Sequence, residues 1–139
     1  RREAMSAPTG DAQFGRWLNI KMIRYADVIL MAAEAANELG QPEKALEYLE
    51  MIRARARNGV AGVLPQVTTT DQAALRDIIK DERRAEFGME YERFYDLVRW
   101  GDAEDVLGDY GYEPRNRYYP IPQPAIDKSG GVLEQNGDY

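Results

Sequence analysis

The residues with the clearest chemical potential lie in a charged run that begins at Asp81. Glu82 and Glu86 stand four positions apart, so on a helix both carboxylates project from the same face. Paired carboxylates are the acid and base of glycoside hydrolases, where they flank the bond that is cleaved. Two carboxylates one turn apart on one helix do not lie on opposite sides of a substrate. The spacing therefore favours a structural role over a catalytic pair.

Arginines accompany these two glutamates. Arg83 is adjacent to them, and Arg93 and Arg99 follow in the next helical stretch. The glutamates continue an apolar helix stripe, and burying a carboxylate is costly unless it is paired. The sequence therefore predicts that Glu82 and Glu86 are largely buried, accept hydrogen bonds from arginine or backbone donors, and tie the third and fourth helices together.

Aromatic side chains are frequent after this run, at helical spacing in Phe87, Tyr91, Phe94, Tyr95 and Trp100. Aromatic rings can stack on the apolar faces of pyranose sugars. At helical spacing, however, they more often pack in a core, and that interpretation is favoured here. The tyrosines further on are expected to be partly exposed: Tyr110, Tyr112, Tyr118 and Tyr119.

Composition excludes several classes of function. Histidine and cysteine are both absent, which removes zinc sites, Ser-His-Asp triads, Cys-His pairs and Glu-x-x-His di-iron sites. We therefore expect no catalysis, no cofactor and no tightly bound transition metal. The net charge of −6 argues against nucleic acid as a partner. The run Arg53, Arg55 and Arg57 spreads around a helix and is expected to be solvated or salt-bridged.

Hydrophobic periodicity at three- and four-residue steps predicts an all-α fold. The predicted helices lie near 20–39, 42–57, 71–87 and 90–100. Gly40 stands where a helix C′ residue is expected, and Pro42 suits the first turn of the next helix. Thr69 and Gln72 fit a capping box at the start of the third helix.

The first two predicted helices must be antiparallel neighbours because their connection is short. Ala33 and Ala45 fall at the small positions of a tetratricopeptide repeat, with Gly40 in the turn. Small residues let two helices approach closely, although any tight helical hairpin has the same need. A tetratricopeptide-like scaffold that binds a protein partner is therefore one candidate function.

The rest of the chain is predicted to be irregular. We expect a loop over 1–18, a helical core over 19–101 and an extended tail over 102–139, which is rich in Pro, Gly and Tyr. The sequence Pro120-x-Pro122-x-Pro124 is typical of a polyproline strap. No apolar run approaches the length of a membrane-spanning helix, and no apolar stretch follows Arg1 and Arg2 as in a signal peptide. We take the sequence to be part of a longer protein.

Four segments, in order, resemble the SusD/RagB family of nutrient-binding proteins. Ile23 to Ala35 is similar to its "RYAdvLLmyAEA" helix, and Asp81 to Phe87 to its "ERR-EL/F" segment. Arg93 to Gly101 resembles "R-aromatic-aromatic-DL-RWG", and 120–139 resembles the closing "PIP…l-QNpgY". The matching signature residues, which the resemblance implies are structural, are Arg24, Tyr25, Glu34, Glu82, Arg83, Glu86, Arg93, Asp96, Arg99, Trp100, Pro120, Pro122, Gln135 and Asn136.

The resemblance implies the C-terminal portion of an outer-membrane lipoprotein exposed on the surface of Gram-negative bacteria. Such a protein binds glycan without catalysis and acts with a SusC-type TonB-dependent transporter in nutrient uptake. Glycan binding lies mostly outside this portion, so no ligand-binding residue is assigned. The chain departs from the family pattern at Glu90-Tyr91-Glu92 and at Gly137. A carboxylate-dependent glycoside hydrolase is the least favoured alternative.

Overall fold

A computed structural model describes residues 22–139, and all regular secondary structure in this range is helical, as predicted. Residues 22–139 contain six α-helices: α1 (Tyr25–Glu38), α2 (Pro42–Arg57), α3 (Gln72–Glu86), α4 (Glu92–Trp100), α5 (Ala103–Leu107) and α6 (Gln123–Lys128). Two short 3₁₀ helices, Gly108–Tyr110 and Pro114–Arg117, lie between α5 and α6. The four predicted long helices are confirmed. In the described residues α1 begins at Tyr25, and the predicted start near 20 lies outside them.

The turn between α1 and α2 has the predicted chemistry. Gly40 has a φ of +70°, in the left-handed region that a residue with a Cβ rarely adopts. Its N–H donates to the Asn37 carbonyl at 3.0 Å, and the Gln41 N–H donates to the Ala36 carbonyl at 2.9 Å. This is a Schellman motif, and Pro42 then opens α2. The two helices therefore reverse direction within three residues.

The α1–α2 hairpin has a closely packed apolar interior. The buried side chains of α1 include Ala26, Ile29, Leu30, Ala33 and Ala36, and those of α2 are Ala45, Leu49 and Ile52. Ala33 and Ala45 are completely inaccessible to solvent, which confirms that the small positions lie inside the hairpin. Ala56, which is four positions after Ile52 and lies in the last turn of α2, is exposed.

Helix α3 starts differently from the prediction. Asp71 is the N-cap residue: its carboxylate accepts the Ala74 N–H at 2.8 Å. Thr69 instead accepts the Asp71 N–H at 3.3 Å. The predicted capping box of Thr69 and Gln72 is therefore wrong, because the helix begins two positions later and a stronger cap, Asp71, is available there. Leu75 and Ile79 are buried on its inner face.

Gln72 has another role. Its side-chain amide donates to the Asn37 carbonyl at 2.8 Å, and the Asn37 amide donates to the Gln72 carbonyl at 3.0 Å. These bonds join the C-terminal end of α1 to the N-terminal end of α3. Because the last carbonyls of a helix lack partners within it, the contact stabilises both ends.

The segment after α4, which was predicted to be an irregular, extended tail, also contains short helices. Gly101, with a φ of +82°, ends α4, and α5 begins two residues later. Further on, Pro124 lies in the first turn of α6, so the polyproline-like geometry stops at Pro122. Proline fits the first turn of a helix because its missing N–H is not needed there. No described element after Gly108 is longer than six residues, as predicted.

The chain divides into two compact units, residues up to Glu82 and residues 83–139. The boundary falls within α3. The predicted division into loop, helical core and tail stays a prediction, and its loop over 1–18 lies outside the described residues.

Candidate functional site

The Glu82 carboxylate is paired with an arginine of the preceding helix. Arg53 of α2 donates to Glu82 Oε2 at 2.6 Å, and only 9% of the Glu82 side chain is exposed. The prediction that Glu82 is buried and accepts from arginine is confirmed. The predicted partners of Glu82, which were Arg83, Arg93 or Arg99, are wrong. The donor is Arg53, so the ion pair joins α2 to α3.

Two of the three arginines of α2, Arg53 and Arg57, also hold the loop that follows it. Arg53 donates to the Pro65 carbonyl at 3.0 Å, and Arg57 donates to the Leu64 carbonyl at 2.8 Å. Arg57 further pairs with Glu50. The expectation that this arginine run is salt-bridged is confirmed for both residues, and the Arg53–Glu82 pair is part of a network that orders 64–65.

The second ionic group lies wholly in the second unit and is centred on Asp96. Arg83 Nε donates to Asp96 Oδ2 at 2.8 Å, and Arg99 Nε donates to Asp96 Oδ1 at 2.9 Å. Arg83 and Asp96 are 3% and 4% exposed. Each carboxylate oxygen thus has its own guanidinium partner. The predicted tie between the third and fourth helices therefore exists, but Asp96 forms it rather than either glutamate.

Aromatic rings extend this group. The Arg83 guanidinium lies 5.1 Å from the centre of the buried Phe87 ring, and the Arg99 guanidinium lies 4.7 Å from that of Trp100. A cation over an aromatic face is stabilised further by the negative electrostatic potential of that face. Each of the two guanidinium groups, of Arg83 and Arg99, thus bonds one oxygen of Asp96 and also lies over one aromatic ring.

The other signature residues of the helices are less enclosed. Glu86, Glu34, Arg24 and Arg93 are half-buried, and each of the first three has a polar or electrostatic contact. Tyr25 is exposed at the start of α1. The prediction that Glu86 is largely buried is therefore only partly met, since the helix turns its face towards solvent at that position.

The closing signature forms a hydrogen-bonded segment within the second unit. Gln135 accepts the Ile121 N–H at 2.8 Å and donates to the Ile121 carbonyl at 2.9 Å. Asn136 donates to the Tyr119 carbonyl at 2.6 Å, and the Tyr139 hydroxyl donates to the Tyr118 carbonyl at 2.8 Å. Pro120 and Pro122 flank Ile121, whose backbone N–H and carbonyl are both hydrogen-bonded to Gln135. We call these contacts of 135–139 with 118–121 the C-terminal clasp.

The aromatic residues divide between core and surface. Phe87 is buried, and Phe94, Trp100 and Tyr112 are half-buried. Tyr91, Tyr95, Tyr110, Tyr118 and Tyr119 are exposed. The prediction of core packing is thus right for Phe87 and wrong for Tyr91 and Tyr95, whose side chains are exposed at the start of α4 and within it. The predicted partial exposure of the later tyrosines is confirmed, since Tyr110, Tyr118 and Tyr119 are exposed and Tyr112 is half-buried.

Two open cavities lie in the first unit. One, of about 740 Å³, runs along the outer side of α2 and is lined by Glu43, Glu47, Glu50, Leu46, Met51 and Val67 among others. The second, of about 350 Å³, lies between Tyr25 and Met51. Neither of these two cavities is lined by Glu82 or Glu86.

One exposed ion pair changes a pKa. Arg76 donates two hydrogen bonds of 2.6 Å to the two oxygens of Glu38. These bonds lower the pKa of Glu38 below its ordinary value of 4.5 and raise the pKa of Arg76. Across 22–139, no cluster of three acidic residues is arranged to hold a metal ion, and no helix is long and apolar enough to cross a membrane.

The signature helices and the Asp96 ion group fall in a segment that matches a known family. The model of the SusD family matches residues 9–117. This chain belongs to the SusD family. A SusD-like protein of Formosa agariphila is 35% identical over 127 residues, which cover 84% of this chain and 25% of that protein. Another from the same organism is 45% identical over 93 residues, which cover 65% of this chain and 18% of that protein.

Two solved structures share the fold of this chain. A SusD-like protein from Bacteroides fragilis matches with a TM-score of 0.67 and 31% identity, over 84% of this chain and 25% of that one. Surface glycan-binding protein A from Bacteroides thetaiotaomicron matches with a TM-score of 0.64 and 33% identity, over 86% of this chain and 25% of that one. This SusD-family chain therefore spans about a quarter of the length of each of these two proteins.

Sequence reasoning missed two parts of this arrangement. It did not identify Arg53 as the partner of Glu82, and it did not identify Asp96 as the shared acceptor of two arginines. A signal for the second was present, because Asp96 and Arg99 are three apart on one helix and the surrounding positions are apolar. No local signal connects Arg53 to Glu82, which are 29 residues apart.

Proposed function

We propose that this chain is the C-terminal portion of a non-catalytic, surface-exposed lipoprotein that binds glycan for uptake through a SusC-type TonB-dependent transporter. Membership of the SusD family carries this proposal. It is supported by the fold that the chain shares with surface glycan-binding protein A of B. thetaiotaomicron. Within that protein, we assign this portion a structural role.

The contacts of the signature residues support that role. Glu82 is occupied by Arg53, and Asp96 by Arg83 and Arg99. A catalytic carboxylate must reach a substrate, and one already held by a guanidinium inside the fold does not. Gln135 and Asn136 are likewise engaged with backbone groups of 119–121. The signature residues thus support the scaffold and leave ligand capture to other surfaces.

Glycan binding without hydrolysis is the first test. The protein is run through native gels containing soluble polysaccharides, and the same mixtures are assayed for newly released reducing ends. We expect retardation in at least one gel and no reducing ends above a blank. Reducing ends that disappear with Glu82→Gln, while its helical content is unchanged, would instead establish the hydrolase alternative.

The transporter partnership is tested separately. The tagged protein is purified from detergent-solubilised outer membranes of its source, and co-purifying proteins are identified by mass spectrometry. We expect a TonB-dependent transporter in stoichiometric amount. Intact cells treated with protease should lose the protein, as a surface location requires. Recovery without any transporter, or full protection from protease, would contradict this part of the proposal.

A further inference from the structure

Helix α2 carries a row of exposed residues at four-residue steps. Glu43, Glu47, Met51 and Arg55 are all exposed, and successive members lie about one turn apart along one side of the helix. Met51 is 46% exposed, and Glu47 and Arg55 each lie four positions from it, about 6 Å along the helix axis. Opposite charges thus stand at equal distances on either side of an apolar side chain. We call Glu47, Met51 and Arg55 the α2 ridge.

Both cavities of the first unit border this ridge, and Met51 lines each of them. Glu47 lines the larger cavity together with two further glutamates, so that cavity has an acidic wall. Arg55 lines the smaller cavity together with Arg24, so that one has a basic wall. The larger cavity also has apolar lining residues, which include Leu46, Met51, Ala54 and Val67. The surface around the ridge therefore combines an apolar centre with separate acidic and basic sides.

Residues at four-residue steps form the ridge that is used in the commonest packing of two α-helices. In that packing the ridges of both helices interdigitate, and the helix axes cross at about −50°. Two copies of α2 that pack in this way with opposite chain directions cross at Met51 of each copy. Glu47 of one copy then lies beside Arg55 of the other, and the reverse pair forms by symmetry. Such a contact is isologous, so it closes at two copies.

The order of charges along the ridge favours a second copy of this chain as the occupant. A purely basic partner would meet Arg55 and Arg24, and a purely acidic partner would meet the glutamates of the larger cavity. A parallel copy would place Glu47 beside Glu47 and Arg55 beside Arg55, and like charges placed together at an interface are unfavourable. The matching partner has both signs at the same spacing and in the opposite order, which an antiparallel α2 provides.

We propose that two copies of this chain associate through the α2 ridge, antiparallel and with twofold symmetry. Met51 of each copy packs against apolar lining of the larger cavity in the other, and Arg55 of each copy reaches the acidic wall of that cavity, whose volume is about 740 Å³. Because one helix of each copy forms the contact, the interface belongs to the small, weak and reversible class. The inference goes beyond glycan binding and does not depend on it.

Sedimentation velocity over a series of protein concentrations measures the dimer directly. Glu47→Arg and Arg55→Glu each convert both symmetric pairs into like-charge pairs. An equimolar mixture of these two variants restores opposite charges in the mixed dimer, and so does the double variant that carries both changes. Asp77→Arg, at an exposed position of the first unit that lines neither of the two cavities, is the control for net charge. Circular dichroism verifies that each variant keeps its helical content.

We expect the parent to form dimers whose dissociation constant rises at least tenfold in either single reversal. The mixture, the double variant and Asp77→Arg should remain within threefold of the parent, and added salt should weaken the parent dimer. A parent that stays monomeric at every concentration would overturn the proposal, as would assemblies larger than a dimer. Single reversals that dimerise like the parent, or whose loss neither the mixture nor the double variant restores, would show that the α2 ridge is not the contact.

Discussion

The two compact units of the chain are stabilised by different interactions. In the first, whose described part is 22–82, ten apolar side chains are buried, most of them in the α1–α2 hairpin. In the second, 83–139, three apolar side chains are buried, Phe87, Leu97 and Ala103, beside the charged Arg83 and Asp96. The first unit therefore depends mainly on close packing, and the second on an ion group and the C-terminal clasp.

This difference bears on what the family signature does. A tight hairpin tolerates many apolar sequences of the right volume. An ion group with two guanidinium partners, or an amide bonded to both backbone groups of one residue, requires particular residue types. The second unit therefore concentrates residues that cannot be exchanged without leaving a polar group unpaired. We interpret its signature residues as structural for that reason.

The largest expected effect is at Asp96. Asp96→Ala removes the acceptor of both Arg83 and Arg99 and leaves the Arg83 guanidinium buried without its carboxylate. Stranding one member of a buried pair costs about 3–5 kcal/mol. Chemical denaturation should show a loss in this range, while Asp105→Ala, on the exposed side of α5, changes stability little. If Asp96→Ala and Asp105→Ala lowered the stability equally, the second unit would not depend on the Asp96 ion group.

In the first unit the corresponding change is Leu49→Ala. Leu49 is 1% exposed inside the hairpin, and a buried Leu→Ala change costs about 2–5 kcal/mol through lost transfer energy and the cavity left behind. Met51→Ala, at a half-exposed position of the same helix, is the matched control and should cost clearly less. A loss that falls with added salt would contradict an apolar origin, because packing is not screened.

The clasp should have an intermediate effect. Gln135→Ala removes both hydrogen bonds to Ile121 and leaves its N–H and carbonyl without that partner. Each bond contributes about 0.5–1.5 kcal/mol, so a loss of about 1–3 kcal/mol is expected for the two bonds. Amide hydrogen exchange of Ile121 should accelerate, whereas Gln123→Ala, on exposed α6, should leave it unchanged. Unaltered exchange in Gln135→Ala would show that the clasp does not order 118–121.

The smallest effect concerns pH. The folded pKa of Glu38 is lowered by Arg76, so the pair stabilises the fold above the ordinary value of 4.5 and loses that contribution as pH falls through the lower folded value. Glu38 is largely exposed, so the effect is a small shift in melting temperature. Glu38→Gln should melt slightly below the parent at pH 7, and the difference should shrink as the pH falls below 4.5. A difference that grows towards pH 3 would contradict the pair.

The sequence predicted those parts of the structure that depend on local pattern. Helix periodicity, the left-handed Gly40 and the small residues Ala33 and Ala45 are each determined by the chain within one hairpin. Contacts between distant residues were not predictable in the same way. Arg53 of α2 pairs with Glu82 of α3 across 29 residues of sequence, and the arginines nearer to Glu82 in sequence gave the wrong partner.

The tail shows the same limit. Proline and glycine indicated irregular backbone, but proline is equally compatible with the first turn of a short helix, as at Pro124 in α6. The clasp depends on Gln135 reaching Ile121, which lies 14 residues away. Neither its partners nor the exposure of Tyr95 and Tyr119 follow from helical spacing, since both depend on what packs around α4.

The most direct test of the structural role of the signature is thermal unfolding of Glu82→Ala beside Glu43→Ala. Glu82 is 9% exposed and holds Arg53, whereas Glu43 is exposed in the first turn of α2. Removing Glu82 strands the Arg53 guanidinium, at about 3–5 kcal/mol. We therefore expect Glu82→Ala to melt well below both the parent and Glu43→Ala. A Glu82→Ala protein that melts at or above the parent temperature would contradict the account, because a carboxylate kept for catalysis often destabilises its own fold.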